Sequence, residues 1–190
     1  MRILRADQHR AMRWKNGGGI TYEIASFPAP DAALDGFDWR VSMALVETDG
    51  PFSLFPGIDR SLAIVDGHGL RLTIGDAPEV EIAVGSAPHV FAADVPTCSR
   101  LVSGPVTDLN VMTRRGAWRH RLTRIDVSGT AQVDGVVGVT LLVVRSGQVS
   151  VSNDASRETL GFKDAVMLEA PAMIDSANAA EVFRVDLWRF

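Results

Sequence analysis

SLAIVDGHGLRLTI (residues 61–74) reads as a strand, a glycine turn and a second strand, and TLLVVRSGQVSV (140–151) repeats that order. In both, β-branched and aliphatic residues alternate with small or polar ones, the period of a half-buried strand. Gly67 and Gly69 in the first copy, and Gly147 in the second, mark hairpin turns. The resemblance extends along the chain. PHVFAADVP (88–96) holds the place that AVMLEAP (165–171) holds in the second copy, and LNVMT (109–113) the place of FRVDLW (183–188). Identities are few, so it is the order of patterns that repeats. Two stacked β-barrels of jelly-roll type account for it: an N-terminal barrel over 1–115 and a C-terminal barrel over 116–190, closely packed as one unit. No segment carries the period of a long amphipathic helix, so the expected fold class is all-β.

Composition sets the outer limits. The chain has 190 residues, 46% apolar and 22% charged, with a net charge of -4. That suits a folded globular protein with a sizeable core. The acidic balance speaks against nucleic acid as partner. The basic run at Arg114, Arg115, Arg119, His120, Arg121 and Arg124 has Asp108 and Asp126 on its flanks and no stacking aromatic series. Cys98 is the only cysteine, which excludes an intrachain disulfide and a cysteine-based zinc site. No apolar run approaches the roughly 18 residues of a membrane span, and the expected location is cytoplasmic.

Upstream of the repeat, WKNGGGITYE (14–23) combines an indole, an ammonium, a carboxamide and three glycines, then strand alternation with Thr21 and Glu23 on one face. Consecutive glycines cost backbone entropy and belong where the chain needs positive φ or a close approach. No helix follows, so no helix N-terminus can hold a phosphate there. Lys15 and Asn16 are instead expected to face a barrel pocket. In FDWRVSMALVE (37–47), Trp39, Val41, Met43 and Leu45 share one face and Arg40 and Ser42 the other. Arg40 points either to solvent or into the barrel, where a guanidinium needs a carboxylate or an anionic ligand. Asp108 and Asn110 bracket Leu109, which puts carboxylate and carboxamide on one face.

The four histidines, His9, His68, His89 and His120, are not paired at i, i+2, so a bound metal is not expected. No phosphate loop and no Ser-His-Asp order occurs. The expectation is a pocket with no metal and no cofactor, in which Lys15, Arg40 and Arg60 are the cations.

WKNGGGITYEIA (14–25), FDWRVSMA (37–44), DGPFSLFPGIDRSL (49–62), the GHG turn and DLNVM (108–112) together resemble the HutD/Ves family, in the family's order. Arg13 departs from it, since a proline often precedes the tryptophan there. The resemblance implies a bicupin fold and a bacterial cytosolic protein. It also implies a modulator of histidine utilisation more than a pathway enzyme, with stress response as the association of the Ves-type relatives. It carries over Trp14, Lys15, Asn16, Gly17, Thr21, Glu23, Arg40, Ser42, Phe55, Arg60, Asp108, Asn110 and Met112 as pocket residues. The expected ligand is a small carboxylate such as urocanate or an N-formyl amino acid. Alternatives are a metal-independent isomerase or hydrolase using Glu23 or Asp108 as base, and a regulator that binds another protein. A homodimer is plausible on the ground that cupin sheet edges are commonly covered.

Overall fold

The computed structural model describes residues 1–14, 17–28, 36–135 and 138–190. These contain one 3₁₀ turn, Ala6–Gln8, and no α-helix, and everything else that is regular is strand. Contacts divide the chain into a larger unit, Arg10–Arg119 with Phe190, and a smaller one, Met1–His9 with His120–Arg189.

The larger unit holds two sheets. The six-stranded sheet runs in the order β2 (Arg10–Arg13), β3 (Gly19–Phe27), β4 (Trp39–Val46), β11 (Val106–Arg114), β6 (Ile58–Asp66), β9 (His89–Ala92). The four-stranded sheet runs β5 (Gly50–Pro51), β10 (Thr97–Leu101), β7 (Leu70–Ile74), β8 (Val80–Ile82). One apolar cluster joins them: Ala44, Val46, Leu62, Ile64 and Val106 from the first sheet pack with Leu70, Leu72 and Ile82 from the second. Strands β4 and β11 are buried on both faces almost throughout, which explains why their apolar residues do not alternate cleanly with polar ones.

The smaller unit is a single sheet in the order β1 (Arg2–Leu4), β16 (Ala165–Leu168), β13 (Val139–Ser146), β17 (Ala172–Arg189), β14 (Val149–Ser152), β15 (Arg157–Leu160), with β12 (Trp118–Val133) also pairing β17. Its longest strand, β17, pairs β13 through its C-terminal half and β14 through its N-terminal half. That curls the sheet around a core of Leu142, Val144, Val151, Leu160, Val166, Ile174 and Val182.

Two expectations differ from this arrangement. A linear division at 115/116 assigns Met1–His9 to the first barrel, whereas β1 pairs antiparallel with β16 in the smaller unit. Met1 and Ile3 pack against that unit's core, and Arg5 binds Glu158 and Asp164, each at 3.0 Å. The glycine turns are also not hairpins. Strand β6 pairs β11 and β9, while β7 pairs β10 and β8, so the turn at 67–69 carries the chain from one sheet to the facing one. Gly67 and Gly69 have φ of 93° and 114°. A side chain at Gly69 would overlap the Ile82 carbonyl, so only glycine makes this corner. The turn at Gly147 is not a hairpin either, since β13 and β14 do not pair with each other but with opposite ends of β17 in the same sheet.

Candidate ligand-binding site

Strand register decides which polar side chains meet. Glu23 on β3 is opposite Ser42 on β4, Ser42 is opposite Asn110 on β11, and Asn110 is opposite Leu62 on β6. The next row is Ser26, Arg40, Met112, Arg60 and Phe91, and the row on the other side is Thr21, Ala44, Asp108 and Ile64. Residues in register on adjacent strands share a face. Glu23, Arg40, Ser42, Arg60, Asp108 and Asn110 therefore form one polar belt on the face that carries Ala44, Leu62 and Ile64 of the inter-sheet core. A second apolar cluster, Phe37, Ile58, Ala93 and Met112 with Phe55, lies beyond the belt. Buried between two apolar clusters, every group in this belt must be partnered or costs free energy.

Arg40 Nε and Glu23 Oε2 are 3.0 Å apart, with the two side chains 6% and 9% exposed. Arg60 donates from Nε to Asn110 Oδ1 at 2.8 Å, and a second time from Nη2 to the same oxygen. Its guanidinium lies 4.4 Å from the Phe52 ring centre and 5.6 Å from that of Phe91. Such desolvated cation–π contacts are worth up to about 2 kcal/mol. Fixed by Arg60, the Asn110 amide turns its Nδ2 to Asp108 Oδ1, donating at 2.6 Å. The other carboxyl oxygen, Asp108 Oδ2, is buried with no hydrogen-bond partner among the described residues.

Titration follows from this geometry. Burial pushes Asp108 up to about 6, against the opposing pull of the Arg60 charge, the Asn110 hydrogen bond and the Ala44 backbone amide. Burial draws Arg60 down to about 10, with Asp108 attracting and Arg40 repelling. It stays charged at neutral pH. The positive charge of Arg40 adds to the lowering at Arg60. Their strands flank β11, so their backbones stand about 10 Å apart across Met112.

The other expected residues fall into three groups. Trp14 and Thr21 bind each other, Nε1 to Oγ1 at 2.8 Å, and Trp14 packs on the inter-sheet cluster. Together they wall the belt and contribute no charge. Phe55 and Met112 belong to the apolar cluster beyond the belt, with Phe55 and Phe37 rings 6.0 Å apart. Lys15 and Asn16 lie outside the described residues. Sequence reasoning missed Phe37, Phe52 and Phe91. The signal was present for Phe91, which alternates with exposed Val90 in HVFA, but nothing local marks Phe52 as the platform for Arg60.

The repeat supplies an internal comparison. In the smaller unit Thr140 pairs Asp186, and Leu142 pairs Arg184, as Arg60 pairs Met112 and Leu62 pairs Asn110. Asp186 there accepts from Thr140 Oγ1 at 2.8 Å and from Arg184 Nε at 2.9 and 3.0 Å. Arg121 reaches it at 3.3 Å. Both its oxygens are occupied, and it holds the place of Met112; the place of Asp108, opposite Ile64, is held by Val182, opposite Val144, so the second barrel has no carboxyl at that position. Among the described residues no three His, Cys, Asp or Glu side chains gather as a ligand set for a metal, and no helix is long and apolar enough to cross a membrane.

Comparison with known proteins agrees along the whole chain. The HutD family profile matches residues 6–183. A 21.2 kDa protein of Pseudomonas putida, described as lying in the hutC 3′ region, is 34% identical over 171 residues, 89% of this chain and 87% of that one. Protein Ves of Citrobacter koseri is 38% identical over 114 residues, 60% of this chain and 58% of its own. Among solved structures, HutD from Pseudomonas fluorescens SBW25, determined in a formate condition, superposes with a TM-score of 0.85 at 26% identity, covering 100% of this chain and 98% of that one. A cupin 2 conserved barrel domain protein from Leptotrichia buccalis, 10% identical with a TM-score of 0.63 over 96% of this chain and 98% of its own, shares the fold. On a cupin-like, two-barrel β fold, the chain belongs to the HutD family.

Proposed function

We propose that the larger barrel binds a small carboxylate metabolite and that this binding modulates histidine utilisation. The observation that carries it is the pair of buried guanidiniums, Arg40 at 5% and Arg60 at 8% exposure, on one face of the barrel on either side of Met112. Arginine presents five donors in a planar fork that matches a carboxylate. Arg60 uses two of them on Asn110, which leaves donors for a ligand oxygen. Phe37, Phe52, Phe55 and Phe91 give apolar walls around these few polar groups, the usual make-up of a small-molecule site. Urocanate and N-formyl amino acids suit such a site and belong to histidine breakdown, to which the neighbourhood of the Pseudomonas putida relative also points.

Isothermal titration of the full chain with urocanate, N-formyl-L-glutamate and formate tests this. At least one should bind, and Arg60→Met should weaken it at least tenfold without unfolding the chain. Failure of all three to bind the folded protein would remove the proposal.

One observation favours a second reading, a metal-independent isomerase or hydrolase. A carboxyl at about 6 is poised to move a proton near neutral pH. On that reading Asp108→Asn abolishes turnover of a bound ligand while its affinity survives. Bound ligands recovered chemically unchanged after prolonged incubation would exclude it.

A further inference from the structure

We propose that Asp108 makes anion binding at this site proton-coupled: for each carboxylate that binds, Asp108 Oδ2 takes up one proton from solvent. The proposal rests on the carboxylate reading above and adds what the site does with charge.

Three observations lead to it. Asp108 is 1% exposed, and its Oδ2 has no donor among the described residues. A buried carboxylate oxygen in that state is relieved only by a proton or by a donor brought from outside. Its other oxygen is already fixed, because the Asn110 amide that donates to it is held in place by Arg60. The side chain therefore cannot turn to pair both oxygens.

The third observation is the charge around it. Facing the belt are Arg60 from β6, Arg40 from β4 and Glu23 from β3. His89 from β9 stands in register with Leu62 on the same face. Arg10 of β2, opposite Glu23, is exposed. The opposing sheet contributes Leu70, Leu72 and Ile82 to the shared core, all apolar. Two guanidiniums and two carboxyl groups among the described residues thus cancel. A ligand carboxylate placed on Arg60 leaves one negative charge in excess among buried side chains. Two carboxylates sharing a site push one of them toward its acid form, and Asp108, already raised to about 6, is the group displaced least to get there.

No bond to carbon changes. The proton comes from water or buffer, adds to Oδ2 and leaves when the ligand leaves. Asp108 in its acid form becomes a donor and can give its O–H to a ligand oxygen. A ligand that offers its own N–H to Oδ2 would instead bind without a proton, so the group discriminates between the two kinds of ligand.

The experiment is titration of the full chain with formate in two buffers of different ionisation enthalpy, phosphate and Tris, between about pH 5 and 8. Formate stays ionised over that range. Wild type should take up close to one proton per formate near neutral pH, with affinity falling roughly tenfold per pH unit at the alkaline end. Asp108→Asn should bind formate with no buffer-dependent heat and a flat pH profile. If that variant does not fold, ¹³C chemical shifts of the aspartate carboxyls in wild type serve instead, and one should move to the acid form when formate is added at pH 7. Formate binding to wild type without proton uptake, or uptake that persists in Asp108→Asn, overturns the proposal and leaves the carboxylate reading standing. No binding of formate, urocanate or N-formyl-L-glutamate at any pH overturns both.

Discussion

Asp108 and Glu23 are both carboxyl groups on the inner face of the larger barrel, yet the fold treats them differently. Glu23 has the Arg40 guanidinium at 3.0 Å, so burial is compensated there. Breaking a buried pair by removing one partner costs about 3–5 kcal/mol. Glu23→Gln should therefore lower stability by about that much in urea unfolding, and Arg40→Met by a similar amount. Asp108 behaves in the opposite sense. Its acid form is favoured in the folded chain, so its contribution to stability is full below about pH 4 and is lost as pH rises through about 6. The loss is on the order of 3 kcal/mol by linkage. Thermal melts of Asp108→Asn and wild type should converge near pH 4, and the variant should be the more stable at pH 8. Equal melting differences at both pH values would show that folding leaves the Asp108 titration where it is in the unfolded chain. At this scale the sequence was legible wherever alternation alone decides orientation. Periodicity put Thr21 with Glu23, Arg40 with Ser42, and Asp108 with Asn110 on one face of each strand, and the register brings the three faces together. The links from Arg60 to Asn110 to Asp108 were not legible, because they depend on β6 and β11 being neighbours although 50 residues separate Arg60 from Asn110.

Among the elements, β3 begins at the last of the three consecutive glycines, Gly19. A Cβ on Gly19 would overlap the Leu45 carbonyl oxygen and stand 3.2 Å from the Trp14 ring. Neither the backbone of β4 nor a tryptophan held by Thr21 can give way cheaply. Gly19→Ala should cost more than about 2 kcal/mol, or abolish soluble expression, and a melting temperature unchanged from wild type would refute the close approach. The glycine-rich stretch thus acts as packing at the start of a strand. The strands themselves were visible as runs of period two, but their partners were not. Residues 61–74 look the same whether the second strand folds back on the first or crosses to another sheet. What separates the two is the successive positive φ values at Gly67 and Gly69 and the backbone of Ile82 beside Gly69, which are properties of distant neighbours.

On the scale of the molecule, the repeat foretold two barrels but not which residues each would own. Local pattern places Met1–His9 beside the residues that follow them, whereas the partners of β1 lie at the other end of the chain. Asp164 accepts the Ala6 amide at 2.9 Å and pairs Arg5, so the segment is tied by more than its edge strand. Deleting residues 1–9 should strip hydrogen-exchange protection from β16 by at least tenfold while leaving β4 and β11 protected. Uniform loss across both would mean that the two units unfold as one.

That pairing also sets the order of events during synthesis. At about 5–20 residues per second, all strands of the larger unit leave the ribosome several seconds before β16 exists. Until then β1 has no partner, and Met1 and Ile3 have no core to pack against. The larger barrel can close cotranslationally, but the smaller one waits for its C-terminal strands to come back to β1. A fusion at the N-terminus that buries Met1 should therefore slow maturation of the last barrel without touching the first.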